Sequence, residues 1–193
     1  MGRKTSQPVK DDFEFYSNLC LGDKILTVSP VELDEFKENH KGTRTKSTKV
    51  LHKIIPHDLN FIVESNISNH KDYKFKLFCL NRYNHPFFRF DSDGLTHKNN
   101  DPNIPLAEQS ITTPHFHKYN QEGHETAFKT ETLLNPGDTK ALLEDINLGV
   151  VHFCIVANLV LSNSEYPQIV QTPTNELQLI INNDDPMRNI SFD

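Results

Sequence analysis

From Leu59 to Phe128 the chain falls into short segments whose apolar residues recur at every second position, with turn residues between them. No other feature constrains the fold as much. A period of two buries one face of a strand, whereas a helix needs its apolar residues three or four apart. Tyr73-Lys-Phe-Lys-Leu-Phe-Cys79 sets Tyr73, Phe75 and Leu77 against Lys74 and Lys76 on the opposite face. Leu59–Ser65 reads as another strand. In Phe87–Asp91, Phe88 and Phe90 share one face, and Phe87, Arg89 and Asp91 share the other. His115–Tyr119 and Thr126–Thr132 continue the pattern. Asn66–Asp72, Asn84-His85-Pro86 and Ser92-Asp-Gly94 supply the turns. Short strands joined by turns predict an antiparallel meander.

Helical signals flank this region. Phe13–Leu21 reads as a short N-terminal helix stopped by Gly22. Ser29, Pro30 and Glu32 have the form of a cap, a first-turn proline and a capping-box acid, which predicts a helix through Leu33 and Phe36 to His40. Asn135-Pro-Gly-Asp138 starts a third helix, with Asp138 as its cap. Leu142, Ile146, Val150, Phe153 and Ala157 form one stripe at helical spacing, so a single helix over residues 138–159 is expected to pack on the sheet. Gly149 within it implies a close approach to a neighbour. The expected fold is α+β: a mainly antiparallel sheet of about five strands, with a long C-terminal helix on one face. It would fill one domain over residues 13–182, between a flexible segment 1–12 and a frayed end 183–193. Residues 176–181 read as a further strand.

At 193 residues a single domain with a real core is expected. The net charge of −6 argues against a nucleic-acid binder held by bulk charge, but not against a local basic patch. Residues 37–53 form such a run: Lys37, Lys41, Arg44, Lys46, Lys49 and Lys53 against one acid, Glu38. The run reads either as a solvated loop or as a phosphate-contacting arm, with Lys41, Arg44, Lys46 and Lys49 as its nucleic-acid contacts. Cys20, Cys79 and Cys154 are widely spaced and lack a CxxC motif, as reduced thiols of a cytoplasmic protein would. No apolar run is long enough to span a membrane. Nucleotide-binding glycine loops, serine-nucleophile elbows and HExxH are absent from the sequence.

The densest chemistry lies in Thr113–His124, which holds three of the ten histidines. On a strand, His115 and His117 point the same way, and Phe116 points away. Two such imidazoles suit a divalent transition metal, with His97, Asp91, Asp101, Glu122 or His124 near enough in sequence to complete the site. The spacing His115-x-His117-x4-Glu122, with Pro136-Gly137 later, echoes the metal motifs of cupin barrels. The glycine ahead of the histidine pair and the later histidine are missing. Without a metal, the same pair can act as general base and acid, with Arg89 stabilising an anionic transition state and Tyr119 orienting a group. That is the logic of phosphodiester cleavage through a ribose hydroxyl. The histidines can equally be structural supports, and Arg89 and Asp91 a simple ion pair.

These residues resemble a family of small, mostly bacterial proteins known only as a domain of unknown function. The resemblance covers about residues 75–160. It rests on Arg82-Tyr83, Arg89, Asp91, His97, the Asn100-Asp-Pro-Asn103 turn, His115, His117, Tyr119, Glu122-Gly123 and Ala127-Phe128. The turn lacks the family's glycine, His124-Glu125 replaces an aromatic and a glycine, and the family tryptophan is missing. The resemblance implies that Arg89, Asp91, His97, His115, His117 and Tyr119 form one site, and it names no reaction. Three functions therefore stand: a hydrolase on phosphodiesters such as RNA, a phage- or mobile-element-encoded binder of a host protein, and a His-x-His metal protein.

Overall fold

The computed structural model describes residues 5–99 and 104–171. Two short helices open it, α1 (Gln7–Asp11) and α2 (Phe13–Leu21). Then come β1 (Lys24–Leu26), β2 (Val31–Leu33), β3 (Glu35–Lys37) and the long β4 (His40–His52). The meander is β5 (Leu59–Asn66), β6 (Tyr73–Cys79) and β7 (Phe88–Asp91). A hairpin of β8 (His97–Lys98) and β9 (Ser110–Ile111) precedes β10 (His115–Tyr119) and β11 (Glu125–Phe128). Helices α3 (Glu131–Leu134), α4 (Pro136–Glu144) and α5 (Ile146–Ala157) lead to β12 (Leu159–Leu161) and β13 (Ile169–Gln171).

The main sheet runs β11-β10-β7-β6-β5-β4-β1-β12, and β3 adds to β4 as a ninth strand. Its neighbours are antiparallel except β1 and β12, which are parallel. The sheet is therefore mixed, and it curls into a half-barrel. The pairs β2–β13 and β8–β9 stand apart from it. No described helix is long and apolar enough to cross a membrane.

This corrects the expected α+β arrangement of about five antiparallel strands under one long helix. The helix over 138–159 is broken at Asp145, whose extended backbone ends α4 and whose carboxylate caps α5 through the Asn147 N–H at 2.8 Å. The apolar stripe spans the break because both helices bury the same side: Leu142, Val150, Phe153 and Ala157 are all buried. The cap of α4 is Asn135 rather than Asp138, with its side chain accepting from Gly137 and Asp138. The helix expected after Ser29 is instead β2 and β3. Val31 and Leu33 are buried and Glu32 is exposed, a period of two that outweighs the capping signal. The basic run is neither loop nor arm. It is mostly β4, paired with β5 at eight positions from Thr43 to Val50. In residues 5–12, expected to be flexible, α1 forms and buries Val9. The expected strand at 176–181 and the frayed end 183–193 lie outside the described residues.

The core lies on one face of the sheet. Phe61, Phe75, Phe88, Phe90 and Phe116 project from four adjacent strands toward α5. Phe153 sits among them, with ring centroids 5.6 Å from Phe61, 5.5 Å from Phe75 and 5.7 Å from Phe88. Gly149 lets α5 approach the sheet, since a Cβ there would collide with the Tyr73 ring. Lys24 is fully buried, and its ammonium donates to the carbonyls of Cys20, Gly22 and Ala157 at 2.8, 2.7 and 2.9 Å. It satisfies orphan carbonyls at the ends of α2 and α5 at once.

Candidate metal centre

The opposite face of the same strands is polar. Register places His115 opposite Asp91 and His117 opposite Arg89 across β10 and β7. Lys74 and Lys76 lie opposite Asp91 and Arg89 on β6. Farther along, Glu64 accepts from Lys37 at 2.9 Å and Lys76 at 2.6 Å. Directly paired residues share a face, so four strands build one row of chemistry from residues scattered in sequence.

At its centre, His115 Nε2 and His117 Nε2 are 2.7 Å apart, and His117 Nε2 is 3.2 Å from Asp91 Oδ2. His115 is 1% exposed and His117 is 3% exposed. Arg89 reaches both flanking carboxylates: Nε is 3.2 Å from Asp91 Oδ2, and Nη2 is 3.4 Å from Glu125 Oε1. His117 Nδ1 faces Glu125 Oε1 at 3.7 Å, too long for a hydrogen bond. His115 Nδ1 has no hydrogen-bond partner.

Four buried polar atoms of this cluster lack a hydrogen-bond partner: Arg89 Nε, Asp91 Oδ1, His115 Nδ1 and His117 Nδ1. Among the described residues only the Tyr83 hydroxyl shares that condition. Such atoms cost free energy and call for an explanation. Burial, then the charge of His117, pushes the His115 pKa down to about 4. Burial, then His117, also lowers His97. Burial alone would raise the Asp91 carboxyl, but the His117 hydrogen bond and the Arg89 charge outweigh it and hold it below the usual range. At neutral pH the centre therefore offers neutral His115 and ionised Asp91.

His97 joins through the β8–β9 hairpin. The Asn99 side chain bonds both ways to the Ala127 backbone, donating at 2.9 Å and accepting at 2.7 Å. That pins β8 beside β11 and brings the His97 ring within 4.9 Å of His117. Two sets of ligand atoms converge: Asp91, His115 and His117, and His97, His117 and Glu125, each with its atoms within 4.8 Å of one another.

Of the residues expected at the site, Arg89, Asp91, His97, His115 and His117 come together. Tyr119 stands at the margin, its ring 4.8 Å from His85 and 5.9 Å from Tyr16. Glu122 is exposed in the turn. His124 bridges to Thr5 and is not among the ligand sets. Asp101 and the turn at 100–103 lie outside the described residues. Lys41, Arg44, Lys46 and Lys49 do not form one patch. Arg44 donates to the Leu33 carbonyl, Lys46 pairs with Asp34 and Glu35, and Lys49 occupies the opposite face of β4 from both. Cys79 and Cys154 are buried, and burial raises Cys79 and pushes Cys154 up to about 12, which disfavours a thiolate nucleophile.

Sequence reasoning missed Glu125 and Asn99. Glu125 was within reach: once β10 ends at Tyr119, a turn of residues 120–124 sets Glu125 opposite Tyr119 on the histidine face. Asn99 gave no signal, being one of several asparagines in a polar loop.

No protein-family model, curated protein or solved structure matches the chain. The site is read from its own geometry.

Proposed function

We propose that the chain is a metal-binding protein whose centre of His115, His117 and Asp91 holds one divalent transition-metal ion. The convergence of His115 Nε2, His117 Nε2 and Asp91 Oδ2 beside four buried polar atoms without a partner carries this reading. His117 Nε2 stands between His115 Nε2 and Asp91 Oδ2, so an ion bound there would replace the proton that His117 shares with Asp91. Two imidazoles and a carboxylate suit zinc, iron(II) or a neighbouring ion. Nitrogens about 2.1 Å from one ion stand roughly 3.4 Å apart at a tetrahedral angle, so binding would part the pair by a small rotation. Glu125 would then take the His117 Nδ1 proton as the supporting carboxylate.

A centre with three protein ligands keeps a position for water, and such an ion supplies an activated water for hydrolysis. Lys74, on the same face opposite Asp91, favours an anionic substrate, so a phosphodiester is the substrate class this centre would serve. The first test is elemental analysis and zinc titration of untagged protein. One ion per chain is expected, falling below a tenth in His115→Ala and Asp91→Ala. Wild type that takes up no ion ends the metal reading and leaves metal-free acid–base chemistry. Metal-dependent turnover of bis(p-nitrophenyl) phosphate tests the hydrolytic step.

A further inference from the structure

The cleft beside the histidine centre holds another pair of groups, which the metal reading leaves unused. Ser6 Oγ lies 2.9 Å from His85 Nε2. His85 Nδ1 lies 3.3 Å from the Pro86 carbonyl, which can only accept. The ring proton therefore belongs on Nδ1, and the Nε2 lone pair faces Ser6. Ser6 is the N-cap residue of α1, yet its side chain makes no capping bond. The hydroxyl is committed to the imidazole instead.

Both partners are held in place. The His85 ring lies between Tyr83, at 5.9 Å and 14°, and Tyr119, at 4.8 Å and 31°. The Ser6 N–H donates to the Gly123 carbonyl at 2.7 Å. Gly123 has φ +71°, and a Cβ there would collide with the Ser6 carbonyl. Only glycine allows this docking. Ser6 and His85 line a cleft of about 390 Å³ together with Arg89, Tyr119 and Glu125.

We infer that Ser6 is a nucleophile and His85 its general base, acting on a neutral carboxylic ester bound in this cleft. A nucleophile, a base within hydrogen-bond reach and a third group orienting the base are the parts such catalysis needs. Arg89 and Glu125 offset each other's charge at 3.4 Å, so a phosphate dianion would meet the Glu125 carboxylate. A neutral ester carbonyl meets no such repulsion. The Arg89 guanidinium and the Tyr119 hydroxyl, which line the same cleft, would polarise it. Ser6 Oγ adds to the carbonyl carbon as its proton passes to His85 Nε2. The carbon–oxygen bond to the alcohol breaks, and the departing oxygen takes that proton. Water then attacks the acyl-Ser6 ester, with its proton passing to His85 Nε2 and from there to Ser6 Oγ. The products are one acid and one alcohol.

The test uses the full chain and a fluorophosphonate probe, read by mass spectrometry, with p-nitrophenyl acetate as substrate. One adduct per chain on the Ser6 peptide is expected. Ser6→Ala should abolish it, and His85→Ala should slow it by about a hundredfold or more. Chelator should leave labelling unchanged, which separates this pair from the metal centre. Ser6→Cys covers a misfolded Ser6→Ala: its thiol should react with iodoacetamide faster than free cysteine, and His85→Ala should remove the advantage. An unlabelled wild type, an adduct that survives Ser6→Ala, or an unactivated Ser6→Cys thiol overturns the inference.

Discussion

β10 turns Phe116 to one face of the sheet and His115 and His117 to the other, and the two faces follow different rules. On the first, aromatic rings fill space around Phe153. On the second, four of the five buried polar side-chain atoms without a partner among the described residues gather within one cluster. The packed face satisfies the usual requirements of a core. The polar face violates the rule that buried polar groups are paired, and such violations concentrate at functional sites. One sheet thus separates the packed core from the cluster proposed to hold the metal.

The largest expected effect lies on the packed face. Phe153→Ala removes a ring that touches several others and should cost about 3–5 kcal/mol. Urea unfolding would read it as a lower midpoint with an unchanged slope. Zinc uptake per folded chain should stay at the wild-type value. If Phe153→Ala lost the ion while remaining folded, the two faces would not be separable.

Lys24 sharpens the comparison, because it is polar yet belongs to the packed part. Its ammonium is satisfied by three carbonyls, unlike the four unpartnered atoms of the histidine cluster. Lys24→Met keeps the stem and leaves carbonyls at two helix ends without a donor, at a cost of about 2 kcal/mol. A thermal melt followed by circular dichroism measures this. An unchanged melting temperature would mean that the Lys24 bonds contribute nothing net.

The two faces also differed in how far the sequence revealed them. Strands β5, β6, β7 and β10 were legible because apolar residues recur at every second position along them. Their register then brings Arg89, Asp91, His115 and His117 together, so the heart of the site followed from strand pairing. The elements at the margins were not legible. Val31 and Leu33 show only one repeat of two, too short to outweigh Ser29-Pro30-Val-Glu32 as a helix start. The break at Asp145 left no trace in the apolar stripe, because α4 and α5 bury the same side. The pairing of β12 with β1 joins residues more than a hundred positions apart, and no local pattern encodes it. The basic run misled because Lys37, Arg44, Lys46 and Lys53 are tied to Glu64, the Leu33 carbonyl, Asp34 and Glu35, and Asp23.

On the polar face the expectation reverses. His115→Phe exchanges an imidazole with an unsatisfied nitrogen for a ring of similar size, so stability should change by less than about 1 kcal/mol. Metal uptake should be lost all the same. Parallel urea titration and zinc titration of this variant and of Phe153→Ala give opposite patterns if the faces are independent. A loss of several kcal/mol in metal-free His115→Phe would show that the cluster is structural.

The smallest effect concerns His152, which lies on the packed side of the strand that carries His115. Its ring meets Phe116 edge-on at 5.5 Å, and Nε2 lies 2.9 Å from the Thr130 hydroxyl. Thr130 Oγ1 also accepts from the Leu133 N–H to cap α3, so its own proton goes to the His152 lone pair. Burial lowers the His152 pKa, and protonation would remove that lone pair. The folded pKa therefore lies below the unfolded value of about 6.5. As pH falls below that value, the unfolded chain takes up the proton first, so the stability is full above 6.5 and declines toward the folded pKa. Gln at this position keeps an acceptor and cannot titrate. His152→Gln should match wild type at pH 8 in urea midpoint and decline less between pH 6.5 and 5. Identical acid slopes would mean that His152 is already protonated in the fold, and that Thr130 donates elsewhere.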